Sequence, residues 1–133
     1  MWATWCGPCR RELPMLRNLA DNVTARGLSV VLVSVDEPEA EPEVVRMLTS
    51  EGFSPPFYVA ERPLGPFKES LHPRWPGMIP VTFLFDTSAR RRYFWGGPVF
   101  EHELLPIVEG FLEGKPIDGE ARFDLAPGLK TGR

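Results

Sequence analysis

The chain predicts an α/β domain built on a largely parallel sheet. Three observations carry that expectation: an amphipathic stretch from Gly7 to about Asn22, a run of eight mostly apolar residues from Leu28 to Val35, and a second amphipathic stretch from Pro42 to about Glu51. Helix, strand and helix in that order favour a sheet covered on both faces. At 133 residues, one domain with its own core is expected. A net charge of -3 gives no electrostatic footprint for nucleic acid, and no apolar run reaches the length of a membrane span.

The first helix is read from Leu13, Leu16, Ala20 and Val23, which share one face, with Pro14 inside it as an expected kink. Gly27 breaks the chain. The Leu28–Val35 run reads as a strand buried on both faces. The acidic stretch Asp36–Glu43 reads as the solvated start of the next helix, where carboxylates suit the macrodipole, and Gly52 stops that helix. Phe57–Ala60 is a candidate short strand, and one helical turn is expected around Phe67–Leu71 within a proline-rich region. Val81–Asp86 and Arg91–Trp95, joined through Thr87-Ser88-Ala89, read as a hairpin whose Arg90, Arg91 and Arg92 solubilise an edge. Glu101–Glu113 reads as a helix with Leu104, Leu105, Val108, Phe111 and Leu112 inward and Pro106 tolerable only near its first turn. The domain is expected to span 1–116, with 117–133 an extended tail.

Cys6 and Cys9 are the chain's only cysteines. Two thiols at this spacing can close a disulfide across the first turn of a helix, whereas a zinc site would have to find two further ligands elsewhere. A helix N-terminus favours a thiolate, so Cys6 is expected to be the accessible attacking sulfur. Cys9, one turn later and deeper, would resolve the mixed disulfide. Pro8 stiffens the loop, and Arg10 and Arg11 add positive charge. No phosphate loop, catalytic serine or metal constellation is apparent. His72 and His102 read as surface or loop residues.

The string WATWCGPCRRELP strongly resembles the active-site segment of thioredoxin-like proteins of the TlpA/ResA type. VVLVSVDE, GMIPVTFLFD and GGPVFEHELLPIVEGFL follow in that family's order and extend the likeness over most of residues 1–114. The resemblance implies a thioredoxin-like three-layer sandwich, with a mixed sheet flanked by helices. It implies a thiol-disulfide oxidoreductase working through a Cys6/Cys9 couple with no other cofactor, most simply a reductase of protein disulfides. Gly7 and Pro8 between the cysteines resemble reducing thioredoxins, near about -270 mV, rather than strong oxidants near about -120 mV.

It further implies that Ile79-Pro80 is cis and faces the disulfide, so that Ile79 and Pro80, with Trp5, Gly7 and Pro8, contact substrate. Glu12 falls where such reductases carry a glutamate implicated in proton handling; a first-turn glutamate held by the helix dipole is the competing reading. Trp2 and Trp5 would shield the disulfide and offer an apolar landing, and Trp75 could extend that surface or belong to the core. Expected partners are protein thiols and disulfides, an apocytochrome c among them, and an upstream electron donor. An extracytoplasmic location is implied, membrane-anchored only through an upstream segment; a cytoplasmic reductant and a non-catalytic binding module are the alternatives.

The family's central strand runs directly into Trp-Cys-x-x-Cys, and here only Met1–Thr4 stand before that motif. A fragment or a mis-started frame is therefore expected, or else a gap filled by another chain or a rearranged segment.

Overall fold

The computed structural model describes residues 1–121. Its helices are α1 (Gly7–Thr24), α2 (Glu41–Ser50), α3 (Leu64–Leu71) and α4 (Glu101–Leu112). Its strands are β1 (Val33–Ser34), β2 (Tyr58–Val59), β3 (Val81–Phe85), β4 (Arg91–Gly96) and β5 (Gly119–Ala121). The arrangement is thioredoxin-like, a mixed sheet with helices on both faces. β1 and β2 pair in parallel, β3 and β4 antiparallel, and β5 adds to β4 in parallel. Met1–Ala3 lies between the two groups of strands. Trp2 donates its amide to Val33 O (3.1 Å) and accepts from the Val35 amide (2.8 Å), while the Met1 nitrogen donates to Val81 O at 2.9 Å.

Side-chain alternation along β4 divides the layers. Trp95 packs with Leu84 of β3 against Leu16, Leu19 and Val23 of α1 and Leu104 and Val108 of α4. Phe94 faces the other way, with Val81 and Trp75, toward Leu71 of α3. A third cluster joins Cys6, Cys9 and Leu13 to Val44, Met47 and Leu48 of α2. α1 therefore contributes to two clusters, its first turns to one and its last turns to the other.

Several expectations are corrected. The Leu28–Val35 run is not a strand buried on both faces. Only Val33–Ser34 is strand, and Val31 is largely exposed, because residues 28–32 meet no pairing neighbour among the described residues. α3 is eight residues rather than one turn. Pro14 lies inside α1, where the sequence put it, whereas Pro106 lies in the second turn of α4, past the position expected to tolerate it.

Nor is β4 an edge. β5, drawn from the segment read as tail, covers it; Arg92 Nε donates to Ile117 O (3.0 Å) and Arg91 Nη1 to Leu71 O (2.5 Å). Those two guanidinium groups satisfy carbonyls that helix and strand ends leave open, so only Arg90 of the three is a solvated residue. The rest of the segment read as tail, 122–133, lies outside the described residues.

Candidate active site

Cys6 is the N-cap of α1. Its backbone is extended (φ -96°, ψ 104°), its amide donates to Ala3 O (3.1 Å), and its carbonyl accepts from the Arg10 amide (3.0 Å). Gly7 and Pro8 form the first helical positions, where a missing proline N–H has no helical partner to lose. The Cys9 amide donates to Cys6 Sγ at 3.3 Å, so the sulfur takes the capping role usually filled by a hydroxyl or carboxylate. Cys6 and Cys9 are joined as a disulfide with Cα atoms 5.3 Å apart. Cys6 is 6% exposed and Cys9 1%. The order matches the expected roles, but Cys6 is far less open than an accessible thiol was expected to be.

Trp5, adjoining Cys6 in the chain, is 70% exposed. Trp2 is instead buried among Ala3, Cys9 and Val44, its indole N–H without a partner among the described residues, and so offers no landing surface. Trp75 is core: it meets Phe83 edge-on at 5.7 Å and donates Nε1–H to Met78 O (2.8 Å). That bond steadies the loop running through Gly77, whose φ of +101° suits glycine, to Ile79 and Pro80. The Ile79–Pro80 peptide is cis, and Ile79 packs against the cluster that holds both cysteines.

Glu12 stands one turn beyond Cys9 on the inner face of α1, 8% exposed. It is past the first turn, so the helix dipole does not account for it. Oε2 accepts from the Val99 amide at 2.8 Å. Burial pushes its pKa from 4.5 to about 7, against the opposing pull of that amide. A carboxyl in this state exchanges protons at neutral pH.

A second buried carboxylate was read in the sequence as part of a solvated acidic run. Asp36 is 2% exposed, while Glu37, Glu39 and Glu41 after it are solvent-facing. Its Oδ1 accepts from the Thr4 hydroxyl (2.6 Å); its Oδ2 accepts from the Thr4 amide (3.0 Å) and the Ser34 hydroxyl (2.5 Å). Ser34 Oγ in turn accepts from the Asp36 amide at 2.9 Å. The signal available was the i, i+2 spacing of Ser34 and Asp36, which puts two polar side chains on one side of an otherwise apolar segment.

His72 is likewise not a surface residue. It is buried at the end of α3, its Nδ1 accepting from the Arg74 amide (3.0 Å), its Nε2 3.2 Å from Glu120 Oε2, and its ring 4.5 Å from Phe94. His102 is exposed. Among the described residues no group of three or more His, Cys, Asp or Glu side chains is placed to hold a metal ion. No helix there is long and apolar enough to cross a membrane.

A cysteine pair closing the N-terminus of a helix, on a mixed sheet flanked by helices, defines a thioredoxin-like dithiol-disulfide protein. The chain belongs to the AhpC/TSA family, whose model matches residues 1–91. It is also similar to the thiol-disulfide oxidoreductase ResA of Geobacillus thermodenitrificans and that of Geobacillus kaustophilus. Each is 25% identical over 108 residues, covering 81% of this chain and 58% of the relative. ResA of Oceanobacillus iheyensis is 42% identical over a shorter 38 residues, 29% of this chain and 20% of the relative. The chain thus spans a little over half the length of the first two relatives.

Proposed function

We propose that the protein is a thiol-disulfide oxidoreductase that reduces protein disulfides. The observation that carries this reading is Cys6 as N-cap, its sulfur receiving the Cys9 amide at the positive end of an 18-residue helix. A thiolate at that position is stabilised by the amide and by the helix dipole. In the reduced protein the Cys6 thiolate attacks a substrate disulfide, forming a Cys6–substrate bond and releasing one substrate thiolate. Cys9, as thiolate, then attacks Cys6 Sγ. The Cys6–Cys9 bond re-forms and the second substrate sulfur leaves, so two electrons pass from the dithiol to the substrate. A separate reductant restores the dithiol.

Glu12 is assigned the proton of Cys9. It lies three residues on along the same buried face, and a carboxyl titrating near neutrality can take a proton from a thiol and return it. Trp5, Gly7 and Pro8 on one side, and Ile79 and Pro80 on the other, are assigned to hold an extended substrate. Resemblance to the TlpA/ResA type favours substrates outside the cytoplasm, an apocytochrome c among them, and an electron donor upstream.

Reduction of insulin with dithiothreitol as reductant tests the reading. Turnover by the parent, abolished in Cys6→Ser, is expected; a folded parent that leaves insulin oxidised overturns it. Glu12→Gln is expected to remove the ionisation near pH 7 from the rate profile, and an unchanged profile overturns the role given to Glu12.

A further inference from the structure

The Cys6–Cys9 bond opens in every turnover, and the two sulfurs are then held by different parts of the chain. Cys9 lies within the first turn of α1 and is fixed by the helix. Cys6 is outside it, with extended backbone; its carbonyl accepts from the Arg10 amide (3.0 Å) and its amide donates to Ala3 O (3.1 Å), and any further hold must come through the residues before it. Ala3 is tied to the sheet through its neighbour Trp2, which pairs with Ser34. Trp5, adjoining the cysteine, is 70% exposed and can contribute little anchorage. Thr4 is the remaining link, and Asp36 accepts from both its amide and its hydroxyl, at 3.0 and 2.6 Å. Ser34 donates to the same carboxylate and accepts from the Asp36 amide, which fixes the carboxylate to β1. A carboxylate is costly to bury unless donors surround it, and two of these three donors belong to one residue of the cysteine loop.

Resting on the dithiol chemistry proposed above, we infer that Asp36 is a positioning residue. Acting through Thr4, it holds Cys6 against the helix terminus while the disulfide is open and so sets how fast Cys9 closes on Cys6. The closing step is intramolecular, and its rate depends on how narrowly the two sulfurs are held in attacking geometry. The first step differs: an outside disulfide is met in solution, and its rate depends on the Cys6 thiolate and its access.

Reaction of the reduced protein with an aromatic disulfide, 5,5′-dithiobis(2-nitrobenzoate), separates the two steps. Cys6 attacks and one thionitrobenzoate leaves. Cys9 then attacks the mixed disulfide at Cys6, and a second thionitrobenzoate leaves as the Cys6–Cys9 bond forms. The first phase scales with reagent concentration and the second does not. Asp36→Asn keeps the size but replaces one acceptor oxygen by a donor, so it gives up part of the set. It is expected to slow the second phase about tenfold and the first by less than about threefold. Thr4→Val, which loses the hydroxyl and keeps the amide, is expected to slow the second phase about threefold.

Equal slowing of both phases, or a second phase at the parental rate, in folded Asp36→Asn overturns the inference. Should Asp36→Asn fail to fold, Thr4→Val decides by the same criterion. Cys6→Ser tests the underlying chemistry separately. A rapid first phase that survives in it refutes Cys6 as the attacking thiol, whatever Asp36 does.

Discussion

Two carboxylates are buried on either side of the redox pair, and they are solved differently by the fold. Asp36, at the exit of β1, is ringed by three donors, two of them from the cysteine loop. Glu12, on the inner face of α1, has one donor among the described residues, the Val99 amide. A carboxylate surrounded by donors can serve as an anchor, because the hydrogen bonds replace the water it lost. A carboxylate with a single donor is left undersolvated, and its proton affinity rises to meet neutral pH. The roles proposed above follow that difference, position for the acid of the loop region and proton transfer for the acid of the helix region.

The largest test of this contrast is Asp36→Ala. It leaves the Thr4 amide, the Thr4 hydroxyl and the Ser34 hydroxyl without their acceptor in a site that is closed in the parent. A loss of about 4 kcal/mol is expected, offset only in part by relief of the buried charge. Urea unfolding of the oxidised protein measures it. A loss below about 1 kcal/mol would mean that the ring of donors is no anchor.

How much of this contrast the sequence carried depends on the distance between partners. The cysteine pair, the helix it opens and the hairpin were legible because their partners are local. Cys9 meets Cys6 three residues away, and the turn between β3 and β4 is held by Asp86, which accepts from the amides of Ser88 and Arg90, both at 2.9 Å. Asp36 was misread because its partner Thr4 lies 32 residues away. His72, expected on the surface or in a loop, does lie in the loop that follows α3, but its burial was missed for the same reason, since Glu120 is 48 residues away and sits in a strand read as tail. For the Leu28–Val35 run, composition announced a strand, but strand length is set by the neighbours that pair with it. Here those neighbours, Trp2 and Tyr58–Val59, reach only Val33 to Val35.

Glu12→Gln tests the other half. Folding raises the Glu12 pKa from 4.5 to about 7, so between those values the native state binds more protons than the unfolded chain. Stability contributed by this group is therefore full below about pH 4.5 and falls as pH rises through 7. The full swing is about 3 kcal/mol. Glutamine stays neutral and its Oε1 can still accept from the Val99 amide. The variant should match the parent near pH 5 and exceed it by about 2–3 kcal/mol at pH 8.5, read from urea midpoints at the two pH values. The buried Met1 amine, its pKa lowered from 8.0 to about 6, adds stability as pH rises over the same interval. The difference between variant and parent is therefore the diagnostic, and a variant that follows the parent's slope would place Glu12 beside Asp36 as a second anchor.

The smallest effect probes the ring itself. Thr4→Val keeps the β-branched shape and the amide that donates to Oδ2, and removes only the hydroxyl that reaches Oδ1 at 2.6 Å. Oδ1 has no other donor among the described residues, so the variant leaves a buried acceptor unpaired. A loss of about 1.5 kcal/mol is expected, within the range for an unsatisfied buried acceptor. Urea midpoints of the oxidised protein measure it, and a loss below about 0.5 kcal/mol would mean that the hydroxyl adds nothing to the ring and that the two remaining donors suffice as the anchor.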